Sequence, residues 1–474
     1  MTTELNFWDF DVWSFVLTLT ALLAAMMLAN ILIQVVPFIR KLLIPSSVLG
    51  GFLLLLANFI YKLIAGEPFL DRGTLEILTY HGLGLGFVAM SLQTGKRNKG
   101  KGRGKDVFNT SCIVVGTYLI QAISGLAITM GLSKVLGNFE AAGLLVPLGY
   151  GQGPGQAYNW GSTYESVYGF EHGSSFGLTV AAMGFVSASI GGIIYLNVMK
   201  RKGRFKGSIG RKYESETITS EQISGKDEIP MSETMDKMTV QFALVFIAYA
   251  LGYIIMYLIE LFIETGILGN FGYNTIRPLI WGFNFLFAIL AASIIKGVLN
   301  GLYKKGVVKR VYTNDFMQSR IAGVMFDLMV VASIASIDLS AFQYKEFIIP
   351  LAVVCVVAAV ITYIYLKITC KKFFPTYTDA AWLSLYGMLT GTASTGVILL
   401  REVDPKFSTP AGDNLVLHNL WTVILGAPML LLLSLAPQGH TQALICLGVV
   451  IILFILMTIL LYRESIFHRQ KNKN

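Results

Sequence analysis

Charged residues are scarce in this chain of 474 residues: Lys, Arg, Asp and Glu make up 14%, against roughly 25% in an average soluble protein. Hydrophobic residues make up 54%. A soluble chain of this length would split into domains with polar surfaces, whereas apolar runs of about 20 residues recur here from end to end. The composition therefore excludes a soluble fold and predicts an all-α polytopic membrane protein, with the lipid bilayer as its surroundings.

Cysteine and catalytic motifs are also rare. Cys112, Cys355, Cys370 and Cys446 lie in or at the ends of apolar stretches without metal-ligand spacing, and we interpret them as small core residues. The sequence has no His-Glu-x-x-His helix, no Gly-Lys-Ser/Thr phosphate loop and no paired aspartate motif. We therefore predict that the protein is not an enzyme and has no organic cofactor.

The formal net charge is +9, but the basic residues sit in short loops between apolar segments. This pattern is typical of membrane topology and does not indicate a nucleic-acid partner. The N-terminus carries Asp9 and Asp11 and lacks the basic region of a signal peptide, so we expect the first apolar segment to be a span.

Eleven apolar segments are long enough to cross a bilayer. They lie at about 13-36, 43-64, 75-95, 107-137, 173-198, 239-263, 275-298, 319-341, 347-370, 414-436 and 440-462. Two further apolar stretches, 141-163 and 378-400, are interrupted by Gly, Pro and small hydroxyl residues.

The positive-inside rule predicts how these two stretches lie in the membrane. If both are re-entrant, the N-terminus is outside, the C-terminus is cytoplasmic, and all but five of the 37 Lys and Arg residues face the cytoplasm. If 141-163 crossed fully, the basic run 200-202 would face outward. The charge bias therefore favours re-entrant segments.

The hydrophilic segment 199-238 divides the chain near its middle and is predicted to be a cytoplasmic basic linker. Residues 1-198 and 239-436 then form two inverted repeats, each with five transmembrane helices and one re-entrant hairpin. Residues 437-474 add one extra C-terminal helix and a cytoplasmic tail. Internal similarity supports the division, since four residues recur at an offset of 236: Tyr150, Gly151, Gly155 and Ala157 match Tyr386, Gly387, Gly391 and Ala393.

The first interrupted stretch concentrates Gly and Pro between Gly149 and Gly155, which predicts a non-helical backbone. Such backbone is tolerated at membrane depth only inside protein or beside a watery cavity. Its freed carbonyls can ligate a small cation, and the helix that follows can receive an anion at its N-terminus. We therefore predict that this stretch binds substrate through Gly151, Gln152, Gly153, Gly155, Gln156 and Asn159.

The second interrupted stretch interleaves hydroxyls with glycines, and hydroxyls suit both sodium and a carboxylate. Its predicted substrate-binding residues are Thr390, Gly391, Thr392, Ser394 and Thr395. We expect the tips of the two hairpins, residues 151-155 and 390-394, to have non-helical backbone and to form one solute site. A sodium site is expected nearby, and the sequence leaves its ligands open. Neither tip contains Lys or Arg, so backbone amides and uncharged side chains must act as donors, unless Arg401 or Arg277 reaches in.

Ionisable residues at membrane depth are costly and point to function. Asp327 lies inside the span 319-341 and is a candidate for ion coupling, by sodium or by a proton. Asp379 begins the second interrupted stretch and either caps its helix or approaches a cation site. His81 is interpreted as a helix-packing histidine.

At the interrupted stretches the sequence resembles the bacterial sodium-glutamate symporter family. Residues 151-157, Gly-Gln-Gly-Pro-Gly-Gln-Ala, resemble that family's Gly-His-Gly-Thr-Gly-Ala-Ala motif. Further similar features are Ile44-Pro45, Gly50-Gly51, Tyr168-Gly169-Phe170, Gly191-Gly192 and Asp379-Ala380-Ala381, so the resemblance covers most of residues 13-436. Gln152 and Pro154 depart from the motif.

The resemblance implies two inverted five-helix repeats with crossed hairpins, a homodimer in the bacterial inner membrane, and elevator-like movement. It also implies sodium-coupled symport of glutamate or a similar small carboxylate. Three alternatives stay open: another organic anion, such as a hydroxycarboxylate, coupled to sodium or protons; a membrane enzyme using Asp327 and His81; and an ion channel, which the lack of a repeated ring of ligands disfavours.

Overall fold

The computed structural model describes residues 6–93, 103–205, 209–210, 228, 235–405 and 407–471. Regular structure in these residues is helical, apart from one isolated β-bridge between Glu228 and Val311. The predicted all-α class is therefore confirmed. Most of the predicted linker 199-238 lies outside the described residues, and so does the segment 94–102.

The α-helices are numbered in chain order. They are α1 (Phe10–Val35), α2 (Pro37–Lys41), α3 (Ser46–Ala65), α4 (Arg72–Leu92), α5 (Arg103–Leu136), α6 (Pro154–Tyr168), α7 (Gly173–Arg201), α8 (Lys237–Glu264), α9 (Gly269–Phe271), α10 (Arg277–Gly282), α11 (Asn284–Lys304), α12 (Asp315–Ala335), α13 (Lys345–Phe373), α14 (Thr378–Thr390), α15 (Ala393–Val403), α16 (Ala411–Leu417), α17 (Asn419–Leu435) and α18 (His440–Lys471). Short 3-10 segments lie at Glu140–Leu144, Leu339–Gln343 and Ala436–Gln438, and π-helical turns at Pro147–Gln152 and Gly272–Ile276.

Eleven helical segments in the described part of the chain are long and apolar enough to cross a membrane, and they coincide with the eleven predicted spans. They are α1, α3, α4, α5, α7, α8, α11, α12, α13, α17 with the 3-10 turn after it, and α18. The chain is thus a multi-pass membrane protein. Two predicted spans are each divided into two helices: 275-298 is broken at Phe283, and 414-436 is broken at His418.

The helices divide into two compact units. Unit 1 comprises Met1–Leu70, Lys99–Lys212 and Ser333–Asn474, and unit 2 comprises Asp71–Asn98 and Tyr213–Ala332. Each unit draws segments from both predicted halves, so the compact units are not the halves themselves. The predicted halves follow the order of residues along the chain, whereas the compact units reflect which helices pack together.

In unit 1, the long helix α13 packs against both α5 and α7, and all three helices pack against the interrupted segments. Helix α6 packs along α7, α14 packs along α15, and α18 packs along α5. The largest buried side chains gather here, and Tyr195, Trp382 and Tyr386 form a stack with centroids 3.9 and 4.6 Å apart. All four cysteines are free and buried in this unit. Their burial agrees with the prediction that they are core residues.

In unit 2, α4, α8, α11 and α12 share a core of small and branched residues: Leu85, Val88, Ala89, Leu92, Val245, Ala248, Ala288, Ala292, Ile321 and Ala322. The small residues allow these helices to approach closely, as is common in membrane proteins. Gly82 belongs to this packing, because a methyl group there would lie 3.0 Å from Cβ of Met329.

Candidate functional site

The first interruption is sharper than the sequence predicts. Gly151 and Gln152 belong to a π-helical turn, and only Gly153 leaves the helical conformation, with φ 93° and ψ −179°. The prediction of non-helical backbone throughout residues 151-155 was therefore wrong. Pro154 and Gly155 start α6, because a proline without an N–H fits the first helical position, and the Gly153 N–H is satisfied by the Leu148 carbonyl at 2.9 Å.

The second interruption is also short. Helix α14 ends at Thr390, Gly391 leaves the helical conformation with φ −132° and ψ −104°, Thr392 is extended, and α15 begins at Ala393. The predicted non-helical range 390-394 was thus too wide. The two arms pack backbone to backbone, since a methyl group at Gly387 would lie 2.8 Å from Cα of Gly396.

The two interruptions meet inside unit 1. A methyl group built on Gly153 would lie 3.3 Å from Cγ2 of Thr392, so the residues that precede α6 and α15 are in contact. We call residues 151-155 tip 1 and residues 390-394 tip 2. The structure brings together the two groups of residues that the sequence analysis assigned to one solute site.

Two helix N-termini converge at this point, and neither has a side-chain cap. The first amides of a helix have no partner within it, which leaves donors at Gly155 and Gln156 of α6 and at Ala393, Ser394 and Thr395 of α15. Each N-terminus also carries about half a positive charge from the helix dipole. No charged side chain lies in residues 147–163 or 386–396, so within these segments the positive charge comes from the backbone amides.

Gln156 adds a side chain to this donor set. It is 1% exposed, and among the described residues neither its Oε1 nor its Nε2 has a hydrogen-bond partner. A buried amide left in this state costs about 1–3 kcal/mol. Such a cost at the first turn of α6 marks a place where a polar solute is expected.

The remaining predicted site residues differ in whether their polar atoms are available to bind a solute. Asn159 is buried one turn after Gln156, whereas Ser394 is exposed at the start of α15. The Oγ1 atoms of Thr392 and Thr395 lie 3.5 Å apart at tip 2. The Thr390 hydroxyl instead donates to the Tyr386 carbonyl at 2.6 Å, a local bond that Thr often makes in helices, so in this structure its proton is used within the helix.

Asp379 lies at the opposite end of α14 from tip 2. It accepts hydrogen bonds from the Tyr195 hydroxyl at 2.8 Å and from Arg204 Nη1 at 3.0 Å, and α14 has no side-chain cap. Eleven residues of helix separate it from Thr390, which is about 16 Å. Asp379 therefore neither caps α14 nor approaches a cation at the tips, because its carboxylate is paired elsewhere.

The other ionisable candidates fall outside the tips. In unit 2, Asp327 has an exposed side chain on α12, Arg277 Nε lies 2.7 Å from Oε1 of Glu260, and His81 Nδ1 lies 2.8 Å from the Tyr249 hydroxyl. In unit 1, Arg401 stacks on the Phe407 ring, 5.3 Å from its centroid. It is eight residues beyond the start of α15, about 12 Å along the helix, so it does not reach the tip.

Sequence reasoning missed the residues that hold the tips. Tyr150 and Tyr386, which match at the 236-residue offset, both bind Ser187 on α7: the Tyr150 hydroxyl lies 2.9 Å from Ser187 Oγ, and the Tyr386 hydroxyl donates to Ser187 O at 3.3 Å. On α5, Tyr118 and Gln121 bind tip carbonyls. In the sequence, the only indication of these residues is Gln121, a polar residue inside an apolar span.

Comparison with known proteins gives a partial match. The chain is 28% identical over 224 residues to the sodium/glutamate symporters of Escherichia coli (strain K12) and Shigella flexneri. The match covers 45% of this chain and 48% of each relative, so it spans about half the length of these curated relatives. No family model and no solved structure matches. The match confirms the resemblance found in the motifs: over the matched residues the chain is similar to sodium/glutamate symporters, at low identity.

Proposed function

We propose that the protein is a secondary active transporter that carries glutamate or a similar small carboxylate together with sodium. The observation that carries the proposal is the meeting of two uncapped helix N-termini beside Gln156. Backbone amides at helix N-termini bind carboxylates without any basic side chain. The likeness to two sodium/glutamate symporters supports a transporter rather than an enzyme.

In this proposal the solute carboxylate binds the free amides of α6 and α15, and Gln156 with Asn159 contacts the rest of the solute. Sodium binds near tip 2, where the hydroxyls of Thr392 and Thr395 supply oxygen ligands. An uncharged site favours joint binding, because the cation and the carboxylate neutralise each other when both are bound. This mutual dependence is the physical basis of symport.

We also propose that Asp327 contributes to ion coupling, since a carboxylate within a span is costly and points to function. The tips move across the membrane as part of unit 1, in an elevator-type cycle. The packing of both interrupted segments on α5 and α7 supports this, because it leaves little room for a hairpin to open alone. The proposed setting is a homodimer in the bacterial inner membrane.

The test is uptake of radiolabelled L-glutamate into proteoliposomes with an inward sodium gradient, a proton gradient or neither. Uptake driven by sodium alone supports the proposal, and competition by aspartate, malate and citrate defines the solute class. Uptake driven only by protons would favour the alternative of a proton-coupled carrier. Failure of every carboxylate to accumulate under either gradient would refute the proposed function.

A further inference from the structure

Interrupting a helix frees carbonyl groups as well as amides. A carbonyl directed at the solute would repel a carboxylate, so an anion site at the tips requires the freed carbonyls to be satisfied elsewhere. The carbonyls at risk belong to the π-helical turn before Gly153 and to the last turn of α14. Two of these carbonyls are satisfied within their own segment: Leu148 O accepts a hydrogen bond from Gly153 N, and Gly387 O accepts one from Gly391 N at 3.0 Å.

Two neighbouring side chains of α5 satisfy one further carbonyl at each tip. The Tyr118 hydroxyl donates to Gly151 O at 3.1 Å, and Gln121 Nε2 donates to Leu389 O at 3.0 Å. These residues lie one turn apart on the same face of α5, and they are 9% and 0% exposed. One face of a single helix therefore holds both tips.

The surroundings fix both side chains in place. The Tyr118 ring occupies the space beside Gly151, where an added methyl group would collide with Cε1 of the ring. Gln121 Nε2 also donates to Thr362 Oγ1 on α13 at 2.9 Å. Because Leu389 O can only accept, the nitrogen of the Gln121 amide must face it.

We propose that Tyr118 and Gln121 are positioning residues that turn Gly151 O and Leu389 O away from the solute and so make the paired tips selective for anions. The inference rests on the proposed function, because it concerns the same carboxylate site. Neither residue touches the solute: each acts through a backbone carbonyl. With these two carbonyls held, the donors presented at the meeting point are the N-terminal amides of α6 and α15 together with Gln156 and the hydroxyls of tip 2.

The test compares Tyr118→Phe and Gln121→Met, which keep the size of the side chain and remove the donor, with Tyr164→Phe as matched control. Tyr164 is fully buried, and its hydroxyl also donates to a helix carbonyl, Leu433 O at 2.9 Å. It lies on α6 about 15 Å beyond the tip. In sodium-driven uptake of L-glutamate, we expect KM to rise about threefold to tenfold in the first two variants, which corresponds to the one hydrogen bond that each variant loses to a backbone carbonyl at the tips.

In both test variants kcat is expected to stay within twofold of wild type, and the control keeps the wild-type KM. Equal effects in all three variants, or unchanged KM in Tyr118→Phe and Gln121→Met, would overturn the assignment while leaving the proposed function standing.

Hydrogen–deuterium exchange of the purified protein keeps the inference testable if no uptake is found. Tyr118→Phe should speed exchange in peptides that cover residues 147–153, and Gln121→Met in peptides that cover 386–392. Tyr164→Phe should change neither. A wild type without uptake refutes the proposed function, and the positioning role is then decided by exchange alone: local increases at the matching tip support it, and uniform or absent changes overturn it.

Discussion

The conformation of Gly153 makes a sharp prediction for Gly153→Ala. Its φ of 93° and ψ of −179° lie in a region that only glycine occupies readily, and another residue there costs about 1–3 kcal/mol. The new methyl group would also lie 3.3 Å from Cγ2 of Thr392, which is tighter than an ordinary contact. The substitution therefore strains tip 1 at the point where it touches tip 2.

The strain converts directly into an expected loss of function. If tip 1 relaxes into another conformation, the productive one is depopulated by a factor of about 5 to about 150, since 1.4 kcal/mol is tenfold. We expect the apparent affinity for L-glutamate in sodium-driven proteoliposome uptake to fall by at least fivefold, with normal expression and monodispersity. The affinity falls because the backbone N–H groups of Gly155 and Gln156 no longer point towards the solute.

Gly169→Ala is the matched control. Gly169 ends the same helix with φ 74° and ψ 25°, and a methyl group there meets no atom within 4 Å. Its left-handed conformation costs a non-glycine residue about 1–2 kcal/mol, so stability falls comparably while uptake stays at wild-type level. Wild-type affinity in Gly153→Ala, or an equal loss in Gly169→Ala, would refute the reasoning about tip 1.

Three further predictions concern coupling, topology and acid stability. Asp327→Asn should raise the sodium concentration for half-maximal uptake several-fold with unchanged expression, and an unchanged sodium dependence would assign Asp327 a structural role. Lys99→Cys should react with an impermeant thiol reagent only from the cytoplasmic side, and labelling from outside would reverse the predicted topology. Asp71 caps α4, and hydrogen bonds from the side chain and backbone N–H of Thr74 lower the pKa of its carboxyl. A lowered folded-state pKa stabilises the fold above the ordinary value of 3.8, and this contribution is lost as the pH falls through the folded-state pKa. Asp71→Asn should therefore lose less thermal stability than wild type between pH 6 and pH 3, and parallel melting curves would contradict this.

The local pattern of the sequence was sufficient for the membrane spans. A helix in lipid must satisfy its backbone internally and needs about 20 apolar residues, so span positions follow from composition alone, and all eleven agree with the structure. The glycines and Pro154 likewise indicated where the helices break. They overstated the width of each break, because a π-helical turn accommodates Gly151 and Gln152 without leaving the helix.

The predicted internal repeat shows a limit of the local sequence pattern: it does not align the two helix breaks. The best sequence match has an offset of 236 residues, but Gly153 and Thr392, which precede α6 and α15, are 239 residues apart. The difference of three residues is nearly one helical turn. Sequence similarity therefore aligned Tyr150 with Tyr386, which share Ser187 as a partner, and not the two breaks themselves.

Features that depend on neighbours along the chain follow from the pattern of residues: the helical class, the spans and the two interruptions. Contacts between residues distant in sequence depend instead on how the helices pack. Packing placed Gly153 against Thr392, paired Asp379 with Arg204 far from the tip, and brought Tyr118 and Gln121 onto the tip carbonyls. The physical reason is that a hydrogen bond depends on distance and direction in space, and these follow from how helices pack rather than from the order of residues within any one of them.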